Sequence, residues 1–201
     1  MLGATFQTDV PEAGCDEAGR GCLAGPVFAA AVMLPFDYTH PELNDSKQLS
    51  EKKRDKLRAE IEKEAQAFSV AMVDVETIDR INILHASILA MHQALDMLGV
   101  KPEYIVVDGN RFKSWKDIPY RCIVKGDGKY FNIAAASVLA KTYRDDYMRQ
   151  LHHQFPEYGW GNNMAYATKE HREAIVRHGI TPHHRKSFQL SYDTVQLDLF
   201  K

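Results

Sequence analysis

Asp16 and Glu17 stand side by side just ahead of Gly19-Arg20-Gly21. Adjacent acids can hold a divalent cation if both reach one point, although neighbouring side chains on an extended chain face opposite ways. A strand that bends or ends here would allow it, and the glycine turn supplies such an end. Gly14, Gly19, Gly21 and Gly25 crowd the segment, and glycines beside carboxylates suit a backbone that must come close to a ligand. Two exposed turn residues are the plainer alternative. Asp108 follows the apolar run Ile105-Val106-Val107 and precedes Gly109. That puts it at the end of an expected buried strand, where ligands sit in open sheets covered by helices. Asp145 and Asp146 follow on an expected helix. Asp145 shares a face with Ala134, Val138 and Lys141, while Asp146 lies about 100° further round, so periodicity does not choose between them. Carboxylates that converge repel one another unless hard cations neutralise them, and an oxygen-rich site favours magnesium or manganese over zinc.

The elements that must position these acids can be read from pattern. Residues 12–16 form an expected strand that runs into the glycine turn, and 27–34 is a second apolar run closed by Pro35. Ser50 caps a helix through about residue 65, with Leu57, Ile61 and Ala65 spaced by four. A third strand is expected over 68–74. The apolar spacing of Ile83, Leu84, Ile88, Met91, Leu95 and Leu98 predicts a helix over 82–98, closed by Gly99. Further strands follow at 104–108 and 121–124, and further helices at 133–151 and 168–178, the last capped by Thr168 and ended by Gly179. Strands joined by tight turns, then strands alternating with helices, predict an α/β fold with a mixed sheet flanked by helices.

Composition sets the outer limits. The 201 residues fit one domain with room for a small appendage, and hydrophobic residues at 45% with charged ones at 26% are ordinary for a globular chain. The formal net charge is −2, from 25 Lys plus Arg against 27 Asp plus Glu, which offers no overall attraction for nucleic acid. Binding would need basic residues gathered locally. Residues 169–186 are such a gathering, with Lys169, Arg172, Arg177, Arg185 and Lys186 interleaved with His171, His178, His183 and His184; a solvated helix face is the alternative. Three cysteines without CxxC spacing argue against a structural zinc site or disulfide framework. Neither a membrane span nor a secretory signal is recognisable, so a cytoplasmic protein is expected.

The motifs together resemble bacterial ribonuclease HII, the type 2 ribonuclease H. DEAGRG at 16–21 is similar to the family signature. NDSKQLS at 44–50, INILHAS at 81–87, VDGN at 107–110, KGDGKY at 125–130, AAASVLAKTYRD at 134–145 and HHRKSF at 183–188 follow in the family's order. The resemblance implies a ribonuclease H-like fold, a five-stranded mixed sheet flanked by helices with a C-terminal helical extension. On that pattern the chain divides into a catalytic domain over 1–165, a substrate-binding extension over 166–190 and a tail over 191–201. It implies four metal-binding catalytic carboxylates, carried here to Asp16, Glu17, Asp108 and Asp145, and so selects Asp145 over Asp146. The implied activity is hydrolysis 5′ to a ribonucleotide, in RNA/DNA hybrids or singly embedded in duplex DNA, leaving 3′-hydroxyl and 5′-phosphate ends. Two magnesium or manganese ions about 3.5–4 Å apart would serve the attacking water and the leaving oxygen.

Recognition follows the same resemblance. The backbone of Gly19, Arg20 and Gly21 would read the ribose 2′-hydroxyl, which alone tells that sugar from its neighbours, with Arg20 gripping a phosphate. Tyr166 matches the tyrosine that packs on the next sugar, but Ala165 stands where the family usually has glycine, and alanine resists positive φ. Lys47, Arg185 and Ser187 match polar positions near the nucleic-acid backbone. The end of the chain, Gln196-Leu197-Asp198-Leu199-Phe200-Lys201, resembles the QLxLF peptide that docks bacterial repair proteins on the sliding clamp; an amphipathic end folded back on the domain is the alternative. A monomer is the default. The rival readings are ribonuclease HIII, which shares the catalytic scheme, and a non-catalytic hybrid- or clamp-binding protein. Four unpaired acids argue against the second.

Overall fold

The computed structural model describes residues 2–43 and 49–188. Five strands form one mixed sheet: β1 (Glu12–Ala18), β2 (Val27–Met33), β3 (Ala67–Val73), β4 (Tyr104–Asp108) and β5 (Tyr120–Ile123), in the order β3-β2-β1-β4-β5. β1, β2 and β3 pair antiparallel, whereas β4 runs parallel to both β1 and β5. The helices are α1 (Glu51–Glu64), α2 (Val75–Met97), α3 (Phe131–Gln154), α4 (Trp160–Asn163) and α5 (Lys169–His178).

Each face of the sheet has its own core. Odd positions of the central strands (Ala13, Cys15, Ile105, Val107) pack with Ala86, Ala90, Met91 and Ala94 of α2. Even positions face α3: Val106 packs on Ile133, and Ala30 and Val32 join the cluster that holds Ala134, Ala135 and Val138. The small residues at the start of α3 permit close approach. At Gly14 an added Cβ would lie 2.2 Å from the backbone of Asn132. Asn132 secures that contact, accepting from Leu34 N at 2.9 Å and donating to the Glu12 side chain at 3.2 Å.

The caps form as the residue types predict. Ser50 accepts from Lys53 N, and Thr168 from His171 N. α2 departs from expectation, starting at Val75 under an Asp74 cap rather than at Asn82. Asn82 itself sits at φ 65°, breaks the helix, and accepts from Leu84 N and His85 N, so it caps the longer second segment. Gly99 follows the helix at φ 75°. A third core lies beyond the sheet end, where Cys22, Leu23 and Ala24 meet Met148, Leu151, Tyr158, Trp160, Ala165, Ala174 and Ile175. Among the described residues no helix is long and apolar enough to cross a membrane.

Candidate metal centre

Parallel register brings the first two acids together. Cys15 pairs with Val107, so Asp16 and Asp108 are the next residues of neighbouring strands and share the face turned to α3. The Asp108 Oδ1 accepts from Gly126 N at 2.6 Å, tying β4 to the helical turn Gly126–Gly128 that precedes α3. That turn carries Asp127. Oxygens of Asp16, Asp108 and Asp127 lie within 4.8 Å of one another. Asp16 and Asp127 are buried. Burial first, then the Glu17 and Asp108 charges, raise the Asp16 carboxyl well above the usual range, against hydrogen bonds from Ser137 and from the Glu17 backbone.

Glu17 and Asp145 occupy other places. β1 continues straight through Glu17 to Ala18, so the Glu17 side chain starts on the opposite face from Asp16. Its carboxylate is within electrostatic reach of Asp16 and accepts from Arg20 at 2.9 Å. Asp145 is buried on α3 with its carboxylate taken up by Lys141 Nζ at 2.5 Å, and Arg54 stands 3.9 Å away. The structure therefore brings Asp127, not Asp145, to Asp16 and Asp108. Asp146 lies outside, bound to Arg58 and Arg149. A sequence signal for Asp127 existed: an acid between two glycines, ahead of a helix packed on β1, follows the same logic as Asp108-Gly109.

The glycine turn is held from behind. Arg144 is buried and donates to the carbonyls of Pro26, Ala24 and Met164. Arg185, only 2% exposed, donates to Gly25 O and Arg20 O. Burial lowers its pKa to about 10. Arg185 thus props the turn from inside the protein, and Ser187 is bound through N and Oγ to Asp79. Tyr166 is 43% exposed beside the turn, hydrogen-bonded to Cys22. Ala165 does adopt positive φ, at 63°, and Met164 before it sits at 47°. The 169–186 stretch is not one basic face, because His171, His184 and Arg185 are interior. Lys47 and the tail residues Gln196, Leu197, Leu199 and Phe200 lie outside the described residues.

The family model for ribonuclease HII matches residues 13–195. The chain belongs to the ribonuclease HII family. It is 63% identical to a ribonuclease HII of Parabacteroides distasonis over 94% of this chain and 96% of the relative. It is 58% identical to one of Bacteroides fragilis over 100% and 99%. Among solved structures, a ribonuclease H2 of Pyrococcus horikoshii aligns at TM-score 0.76 with 24% identity, over 94% of this chain and 99% of that one, which bears on the fold. A ribonuclease HII of Archaeoglobus fulgidus, solved as a complex with PCNA, aligns at TM-score 0.74 with 27% identity, over 92% and 99%. As a family member the protein is a metal-dependent endoribonuclease acting on RNA/DNA hybrids, and the fold is ribonuclease H-like as the motifs implied. The family match also decides against ribonuclease HIII and a non-catalytic binding protein.

Proposed function

We propose that the protein cleaves 5′ to a ribonucleotide, both in hybrids and at single ribonucleotides in duplex DNA, leaving 3′-hydroxyl and 5′-phosphate ends. Asp16, Asp108 and Asp127, joined by Glu17, hold two magnesium or manganese ions. The observation that carries this reading is the approach of three carboxylates, two of them buried, with an Asp16 carboxyl whose pKa is raised by burial and by the neighbouring Glu17 and Asp108 charges. The donors fit the group: they are hard oxygens, with no histidine or cysteine ligand in the cluster. Bound there, the ions would supply Lewis-acid stabilisation of the phosphodiester and lower the pKa of the attacking water.

The protein's own residues do the rest. Gly126 N fixes the rotamer of Asp108, and Ser137 that of Asp16. Arg20, 49% exposed, holds Glu17 at 2.9 Å in the free protein; in the proposed complex Glu17 turns to the ions and Arg20 to a phosphate. The Gly19–Gly21 backbone reads the 2′-hydroxyl while Tyr166 packs on the following sugar. Asp145 neutralises Lys141 and Arg54 instead of binding metal.

The test is cleavage of a duplex carrying one ribonucleotide, with magnesium or manganese and mapping of both ends. Cutting 5′ to the ribose is expected; no cutting with either ion would end this reading. Asp127→Asn should cost at least about 100-fold, since even outer-sphere changes cost about 10–100-fold, and Asp145→Asn far less. The reverse order would restore Asp145 to the metal. For the tail, the Archaeoglobus fulgidus relative was solved with PCNA, and we extend clamp docking to Gln196, Leu197, Leu199 and Phe200. Clamp affinity unchanged in Leu199→Ala/Phe200→Ala would remove that extension.

A further inference from the structure

Two buried histidines stand behind the substrate-reading loops, and the metal chemistry leaves them unused. His171 on α5 is 0% exposed and His184 is 2% exposed, with their Nε2 atoms 3.2 Å apart. Their partners fix the tautomers. Thr181 N donates to His184 Nδ1 at 2.9 Å, so the His184 proton is on Nε2, aimed at His171. The His171 Nε2 also receives the Trp160 Nε1 proton at 2.9 Å, so it carries no proton and its single lone pair is shared between the two donors. The His171 proton is therefore on Nδ1 and is donated to the Tyr166 carbonyl at 3.0 Å. Both rings are neutral, and every ring nitrogen is used. Burial depresses the pKa of each, that of His184 to about 4 with help from the neighbouring histidines.

Each histidine belongs to one reading element. His184 lies in the segment paired with residues 23–25, which follow the glycine turn: Gly25 N donates to His183 O, and Arg185 N to Leu23 O, both at 2.9 Å. His171 holds Tyr166 through its carbonyl. Just before Tyr166, Met164 and Ala165 carry left-handed backbone that a side chain disfavours. Strain of this kind persists only where surrounding contacts over-determine it, and it gathers at ligand sites. Arg144 fixes Met164 O, Asn163 fixes Ala165 N, and the histidine pair fixes Tyr166 O.

We propose that the His184–His171 hydrogen bond is the rear joint that, behind the direct Leu23 N–Ala165 O bond and the Arg144 bridge from Ala24 and Pro26 to Met164, sets the spacing between the Gly19–Gly21 turn and Tyr166. The two histidines are thereby positioning residues for recognising the DNA side of a ribonucleotide junction. The proposal rests on the assignment of the turn and Tyr166 as substrate readers.

The readout is the ratio of kcat/KM on a duplex with one embedded ribonucleotide to that on a continuous RNA/DNA hybrid. His184→Phe keeps the volume and removes the joint; the ratio should fall about tenfold, as misplaced binding groups lose orientation. His184→Gln retains an N–H near the Nε2 position and should recover most of the ratio. The His184→Phe/Tyr166→Ala double variant should fall no further than Tyr166→Ala alone. A folded His184→Phe protein with the parent ratio, or losses that multiply in the double variant, would overturn the joint. Tyr166→Ala with the parent ratio would remove the Tyr166 assignment instead, and the joint with it. If His184→Phe does not fold, nitrogen-15 NMR of the parent imidazoles at pH 7 decides. Protons on His171 Nδ1 and His184 Nε2 are required, and any other pair of tautomers sinks the proposal.

Discussion

At Gly19 the backbone sits at φ 95°, and a Cβ there would lie 2.1 Å from the Arg144 Nε; at Gly21 a Cβ would meet nothing within 4 Å, and no positive φ is involved. The first glycine is demanded by the fold. The second is not, and its open side fits the proposed approach of a ribose. Gly19→Ala should therefore cost about 2–5 kcal/mol, from left-handed strain and overpacking together, with activity lost alongside. Gly21→Ala should shift stability by no more than about 0.5 kcal/mol, yet cut turnover on a single-ribonucleotide duplex by about 100-fold through a displaced sugar. Urea unfolding and steady-state kinetics on both variants check this. A Gly21→Ala enzyme with parent kinetics would mean that the turn does not touch the ribose. Arg185 shows the same division differently: its residue type invited a phosphate contact, but its guanidinium is spent on Gly25 and Arg20 carbonyls.

At the scale of elements, the buried histidines give α5 and the 183–185 segment a pH dependence with a definite sign. The folded pKa of His184 is about 4, below the ordinary 6.5, so in acid the unfolded chain takes up the proton first. The stability tied to the neutral ring is complete above about pH 6.5 and is lost as pH falls from there towards 4. His184→Gln should flatten this limb of urea midpoint against pH, and an unchanged slope would contradict it. Elements were largely legible because periodicity and caps are local: Ser50, Thr168 and the β-branched run at 104–108 each predict what forms. The first segment of α2 was hidden, since its Asp74 cap lies inside what reads as a strand, and Asn82 closes one segment while opening the next. The acid missed in the sequence was Asp127. Its proximity to Asp108 depends on the parallel pairing of β4 with β5, which sets Ile123 beside Asp108, and on the hydrogen bond from Gly126 N to the Asp108 carboxylate, neither of which spacing encodes. The histidine joint was illegible for the same reason, because His171 and His184 read as members of a basic stretch until packing turns them inward.

For the whole molecule, the proposed metal site at the acidic cluster would make stability and metal binding one equilibrium. Without a cation, the fold holds Asp16 beside Asp108 and Asp127, and its raised pKa records the cost of ionising there. An acid whose folded pKa is raised loses stability as pH climbs from the unfolded value near 3.8 through the raised one. A divalent ion removes that cost and competes with the proton for the same oxygens. Ligand at 100 times its dissociation constant adds about 2.7 kcal/mol. At about 2–4 °C per kcal/mol for a domain of this size, the melting temperature should rise by roughly 5–10 °C with magnesium or manganese. The rise should grow with pH until Asp16 is fully ionised in the free protein. Asp127→Asn should shrink it, and Asp145→Asn should leave it nearly whole, because the Asp145 carboxylate is already neutralised by Lys141. Calorimetric scans at two pH values, with and without metal, supply the numbers. A metal-induced rise that is independent of pH would place the ion away from Asp16, and one abolished by Asp145→Asn would return that residue to the site.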